Sequence, residues 1–177
     1  MTRYYPLCLD VSGKRCVVVG GGNVAERKVR RLLACGAQVE VVGKTLTSAL
    51  TTWKRQGKIV HNKADYKDSC LAGAALVIGA TDNERVNTQI ASDARSRGIP
   101  VNIVDEPALC DFILPSVVER GDLLLAVSTG GKSPALAAKL REDLEEMFGP
   151  EYAVLVEILG KLRERVVAAG GSSAENR

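Results

Sequence analysis

The residues whose types and spacing could do chemistry fall in a few short clusters. Gly20-Gly21-Gly22-Asn23-Val24-Ala25 fits the pattern G-x-G-x-x-G/A. It stands between an aliphatic run, Cys16-Val17-Val18-Val19, and a stretch whose apolar residues recur at helical spacing. In that context the chemistry belongs to the backbone. Gly20 permits a tight turn, Gly22 lets the chain approach a pyrophosphate, and Ala25 lets helix and strand pack closely. The helix start offers free N–H groups and a positive dipole end to the anion. A second cluster, Thr81-Asp82-Asn83, follows another aliphatic run, so these residues either border the same ligand or cap the next helix. A third is Val104-Asp105-Glu106-Pro107, where Asp105 either serves as an acid/base at a strand's carboxyl end or initiates a turn.

One expected piece of a dinucleotide site is absent. The second strand of such a unit normally ends in Asp or Glu, which holds the ribose hydroxyls. Here it ends Val41-Val42-Gly43-Lys44-Thr45, and Glu40 precedes the strand end and is expected to point from the sheet's face. Lys44 and Thr45 could contact ribose or tolerate a 2′-phosphate, so these residues alone leave NAD and NADP both open.

Ser128-Thr129-Gly130-Gly131-Lys132-Ser133 invites comparison with a phosphate-binding ATPase loop, but the pattern would need glycine where Ala126 stands. Too little chain follows to supply a magnesium-holding strand, which excludes a nucleotide hydrolase. The loop keeps two readings: a concave anion site with Lys132 adding charge, or a plain turn with Ser133 capping the next helix.

The elements that position these clusters alternate. Strands are expected over 14–20, 37–42, 58–61, 74–79 and 99–104, and helices over 23–35, 45–56 and 83–97, with a brief turn or helix near 67–73. That rhythm calls for an α/β fold, a Rossmann-type doubly wound parallel sheet. After Asp105 it changes. A hairpin over 112–118 and 122–128 and helices over 134–148 and 152–168 are expected, followed by a Gly/Ser-rich, unstructured tail from 170 to 177. The domain reading is a dinucleotide-binding domain over 1–113, a dimerisation segment over 114–148 and a C-terminal helical segment over 149–177. A hairpin and two amphipathic helices make too small a core alone, so a homodimer is expected.

Composition agrees and excludes. Hydrophobic residues are 46% and aromatics 4% of the 177, so the core must be aliphatic, as strands buried on both faces require. The net charge of +3 comes with no dense Lys/Arg block, which argues against a nucleic-acid partner. Five widely spaced cysteines without a CxxC pair read as reduced thiols of a cytoplasmic protein, and a single histidine, His61, excludes a multi-histidine metal centre. No run is long and apolar enough for a membrane span, and the first residues lack a signal core.

Three stretches together resemble one family. Gly20 to Lys28 resembles GGGxVAxRK. Ala80-Thr81-Asp82-Asn83-Glu84-Arg85-Val86-Asn87 resembles AT(D/N)xxxxN. Asn102-Ile103-Val104-Asp105, Phe112 to Ser116 and Ser128 to Pro134 resemble NVxD…F-x-x-P and S(S/T)xGxSP. The family is the precorrin-2 dehydrogenase / sirohydrochlorin ferrochelatase family, the sirohaem synthase N-terminal module. The resemblance implies a dimer that uses NAD to dehydrogenate precorrin-2 to sirohydrochlorin, with insertion of Fe2+ or Co2+ as a metal substrate in some members. It implies Asp105 as the catalytic acid/base. Gly20, Gly21, Gly22, Asn23, Val24, Lys44, Thr45, Thr81, Asp82, Asn83 and Val104 are expected around the cofactor. Ser128, Thr129, Gly130, Gly131, Lys132 and Arg120 are expected toward the polycarboxylate tetrapyrrole, with Arg141 a further basic candidate. Thr129 stands where some relatives carry serine. The rival reading is a non-catalytic, dimeric NAD-sensing regulatory domain, which would share the glycine turn without needing Asp105 or the Gly130-Gly131 loop.

Overall fold

Aliphatic strands separated by amphipathic helices build a parallel sheet in the computed structural model, which describes residues 4–170. The expected tail lies, from residue 171 onward, outside the described residues. The chain divides between Ile113 and Leu114 into two compact units.

The first unit runs β1 (Arg15–Val19), α1 (Asn23–Ala34), β2 (Gln38–Val42), α2 (Ser48–Arg55), β3 (Ile59–Asn62), a 3-10 turn (Asp68–Leu71), β4 (Leu76–Gly79), α3 (Glu84–Ser96) and β5 (Val101–Ile103). All strands are parallel in the order β3-β2-β1-β4-β5, so the topological switch lies between β1 and β4. Successive residues of β1 point to opposite faces. Cys16 and Val18 join one cluster with Ala25, Val29 and Leu50; Val17 and Val19 join another with Leu71, Ile90 and Ala94. Layers on both faces make this a doubly wound sheet. Helix α2 starts later than the periodicity suggests because Thr47 caps it, its side chain accepting the Leu50 N–H at 3.2 Å.

The second unit contains β6 (Ser116–Arg120), antiparallel β7 (Leu123–Val127), α4 (Pro134–Met147) and α5 (Glu151–Ala168). The hairpin begins at Ser116 rather than at 112 because Pro115 has no N–H to give a ladder. Val118 and Ala137 are its only buried hydrophobic residues among those described. Along α5, Val154, Leu155, Ile158, Leu159 and Leu162 are all exposed and repeat at helical spacing. No helix among the described residues is long and apolar enough to cross a membrane.

Candidate active site

The switch point puts the glycine turn at the carboxyl edge of the sheet, and each glycine there answers a different demand. Gly20 has φ +117, and a Cβ on it would lie 2.2 Å from the Ala80 carbonyl oxygen. A Cβ on Gly21 would lie 1.9 Å from the Thr45 oxygen. These two are glycine because neighbouring loops press on them. Gly22 differs: its φ is −85 and a Cβ there would meet nothing within 4 Å. The protein's own packing therefore does not require glycine at 22.

Gly22 is also the N-cap of α1, and no side chain caps that helix. By contrast Thr47, Asn83 and Ser133 cap α2, α3 and α4 by accepting N–H groups of their first turns. The start of α1, like that of α5, has no side-chain cap, and at α1 the uncapped N–H groups lie at the carboxyl edge of the sheet. An uncapped helix start behind an open Cβ position fits a dinucleotide pyrophosphate. Thr47 is spent elsewhere as well, its hydroxyl donating to Glu26 Oε2 at 2.7 Å, which ties α2 to α1.

Asp105 follows β5 at the same edge and is exposed. Its φ of +61 makes it the one non-glycine in the left-handed region among the described residues. Aspartate tolerates that region better than most side chains but still at a cost, so something must hold it there. The holder is Cys110. Its sulfur accepts the Ile103 N–H at 3.2 Å and lies 3.1 Å from the Ile103 carbonyl oxygen and 3.3 Å from that of Glu106, spanning the turn from both sides. Burial pushes the Cys110 thiol up, so it stays protonated and can donate to one of those carbonyls. Asp111 continues the brace by accepting the Val101 N–H at 3.3 Å, and the Asn102 amide donates to the Phe112 carbonyl at 2.9 Å. Lys28 of α1 stands within electrostatic reach of Asp105. Burial and the neighbouring Arg27 lower its ammonium below the ordinary lysine range, and the Asp105 carboxylate opposes that shift.

The remaining expected cofactor residues lie on this edge with mixed employment. Asn23 and Val24 open α1. Val104 packs beside the α1 layer, its N–H bonded to the Gly79 oxygen at 2.9 Å. Asn83 caps α3 through Val86 N–H, and Thr81 Oγ1 accepts the Asn83 N–H at 3.0 Å. Asp82 is exposed. Asn87, absent from the expected set, donates to the Thr81 oxygen at 3.0 Å while its own buried Oδ1 has no partner. It thus fixes the loop that presses on Gly20. The end of the AT(D/N)xxxxN segment was the signal for it; nothing in the sequence marked Cys110. Thr45 contributes its carbonyl behind Gly21, and Lys44 is ion-paired with Asp65 at 2.8 Å.

The second unit holds the other expected residues on its own loop and hairpin. Thr129 Oγ1 accepts the Ser133 N–H at 3.0 Å and donates to the Ser133 oxygen at 3.1 Å, while Ser128 Oγ accepts the Gly130 N–H at 3.1 Å. Gly130 and Gly131 have φ +63 and +83 with open space where a Cβ would stand. Lys132 is exposed beside them. Arg120 spreads its guanidinium over the Phe148, Glu145 and Glu119 carbonyls at 2.8, 3.1 and 2.9 Å, two of them at the end of α4. Arg141 pairs with Glu145 and Glu142.

Strand order, glycine turn and uncapped α1 together define a dinucleotide-binding domain of the Rossmann class. Comparison with known proteins agrees. An NAD(P)-binding family model matches residues 7–116, and the model of the sirohaem biosynthesis protein central domain matches residues 120–147. Siroheme synthase of Nitrosospira multiformis is 43% identical over 178 residues, covering 98% of this chain and 38% of the relative. That of Nitrosococcus oceani is 41% identical over 164 residues, covering 93% and 35%. The chain thus spans little more than a third of the length of the curated relatives it matches. Among solved structures, the precorrin-2 dehydrogenase SirC superposes with a TM-score of 0.78 at 26% identity, covering 97% of this chain and 85% of that one. The chain belongs to the precorrin-2 dehydrogenase / sirohydrochlorin ferrochelatase family, the sirohaem synthase N-terminal module, and its cofactor is a nicotinamide dinucleotide of the NAD(P) class.

Proposed function

We propose that this chain is the NAD-dependent dehydrogenase that converts precorrin-2 to sirohydrochlorin, with Asp105 as its acid/base. The observation that carries the reading is the braced left-handed turn that presents Asp105 at the edge where α1 is left uncapped. NAD, when bound there, supplies the acceptor for a hydride. Dehydrogenation removes one hydride and one proton from the macrocycle, and the Asp105 carboxylate accepts the proton. Gly22 and the first N–H groups of α1 bind the pyrophosphate, and Asn87 holds the Thr81 loop beside it. Cys110 holds the backbone turn that carries Asp105, so that turn needs little reorganisation during the reaction.

The Ser128–Lys132 loop is assigned to the substrate's carboxylates, with Lys132 adding positive charge beside Gly130 and Gly131. The apolar stripe of α5 is assigned to a second copy of the chain, because its residues are exposed and the second unit's own core is small. Free cysteines throughout suit a cytoplasmic setting. Fe2+ or Co2+ insertion, the second activity of the family name, would use the same carboxylate to take pyrrole N–H protons from the product. The metal is then a substrate.

The test follows NADH absorbance with precorrin-2 and NAD. Wild type turns over, while Asp105→Asn loses activity at least a hundredfold with NAD affinity unchanged. An unchanged rate in Asp105→Asn removes the catalytic assignment. A regulatory domain would bind NAD and show no turnover in either protein. Adding ferrous ion and recording the macrocycle spectrum reads the insertion step, and sedimentation of an Ile158→Glu variant reads the α5 interface.

A further inference from the structure

The site as described has no carboxylate from β2 to meet the ribose of its cofactor. Glu40, the acid nearest that strand's end, is committed on the sheet's face: Oε2 pairs with Arg15 of β1 at 2.8 Å, and Oε1 lies 3.5 Å from the Asn62 amide. What stands past the end of β2 is Lys44, a charge that would attract a 2′-phosphate.

The fold brings an acid to it from the next strand. Strands β2 and β3 are parallel and in register, Val42 opposite Asn62, so the residues after both emerge at the same edge. Gly43 N–H bonds to the Asn62 oxygen at 3.1 Å, and His61 Nε2 lies 2.8 Å from the Gly43 oxygen, which stitches the two strand ends together. Beyond them Asp65 Oδ1 meets Lys44 Nζ at 2.8 Å. Gly43, the residue before Lys44, lies beside the glycine turn. A Cβ on Gly43 would be 3.5 Å from the backbone of both Gly20 and Gly21, and Thr47 N–H bonds to the Gly21 oxygen at 3.0 Å.

Stability does not explain the pair. Its side chains are 70% and 76% exposed, and an ion pair so open to water contributes little to folding. Its effect on a ligand is larger, because a dianionic phosphate placed there would face the Asp65 carboxylate and a lysine already neutralised.

We propose that Asp65, held against Lys44 beyond the end of β2, is the residue that makes this site select a free ribose 2′-hydroxyl over a 2′-phosphate. The inference rests on the reading that the dinucleotide lies across the glycine turn. The carboxylate that such folds usually take from β2 is here delivered by the loop after β3, and its pairing with Lys44 turns a group suited to NADP into part of an NAD site. Lys63 and Lys67 are the other cations of the loop after β3; Lys54 of α2 has its Nζ 3.4 Å from His61 Nδ1, whose Nε2 lies against the Gly43 oxygen.

The experiment measures dissociation constants of NADH and NADPH by calorimetry on the full chain, for wild type, Asp65→Asn, Lys44→Ala and the double variant. Wild type binds NADH more tightly. Asp65→Asn tightens NADPH about tenfold and changes NADH less than twofold, and the gain disappears in the double variant. Raising salt shrinks the discrimination, as expected of exposed charges. A wild type that prefers NADPH, or an Asp65→Asn ratio equal to wild type, overturns the inference and leaves the dinucleotide site standing. Failure of wild type to bind either nucleotide overturns both.

Discussion

Two glycine-rich loops join a strand to a helix in this chain, and they solve opposite problems. At Gly20–Gly22 two glycines are wedged against the Ala80 and Thr45 carbonyls, the third faces open space, and the helix behind has no side-chain cap. At Gly130–Gly131 neither glycine is crowded, but both have positive φ, and the loop closes on itself through Thr129 and Ser133, with Ser133 capping α4. Glycine content alone would rank them as equals. The first loop leaves its helix donors unclaimed by side chains; the second spends its hydroxyls on its own backbone. The difference separates a helix start left open at its backbone from a loop that closes on itself through its own hydroxyls.

Substitutions can break that contrast. The largest effect is expected at Gly21→Ala, where the new Cβ would sit 1.9 Å from a backbone oxygen that cannot swing aside. Urea unfolding should show a loss of about 3 kcal/mol or more. Gly130→Ala meets no atom, only a φ of +63, and should cost about 1 kcal/mol by the same measurement. Ser133→Ala removes a cap and should also cost about 1 kcal/mol, whereas α1 has no cap side chain to lose.

Smaller still is a pH effect that sharpens the contrast between the units. The acids pushed up by burial, Cys16, Cys110 and Tyr66, all belong to the sheet unit. A folded value above the unfolded one means the folded state keeps its proton longer. That stability is complete below the ordinary thiol value of 9.0 and is lost as pH rises past it. Circular dichroism melts of the full chain should move to lower temperature above that pH, and the Cys110→Ala variant should show a weaker decline.

Much of the fold was legible in the sequence, and the reasons are local. Cys16 to Val19 and Leu76 to Gly79 are aliphatic runs bounded by glycine or a polar turn, and Gly36 and Gly98 mark helix ends. The hairpin start was misplaced because the apolar run from Phe112 to Leu114 hides that Pro115 cannot join a ladder. At the site, the glycine turn and the edge position of Asp105 could be read, but not the left-handed backbone of Asp105 or its brace. Cys110 reaches Ile103 only because the chain folds back along β5, and Asp65 reaches Lys44 only because β2 and β3 end together. Arg120 reads as a partner for the substrate's carboxylates, yet its fork lies on backbone carbonyls, two of them ending α4. Such pairings depend on three-dimensional return paths that no spacing encodes.

The most direct test is a nucleotide titration of Gly22→Ala alongside its unfolding curve. With φ −85 and nothing within 4 Å of the added methyl, the variant should lose no more than about 1 kcal/mol of stability. Its NAD affinity should nevertheless fall at least tenfold, because the methyl occupies the path of the pyrophosphate. A variant as stable as that which binds NAD like wild type would contradict the account.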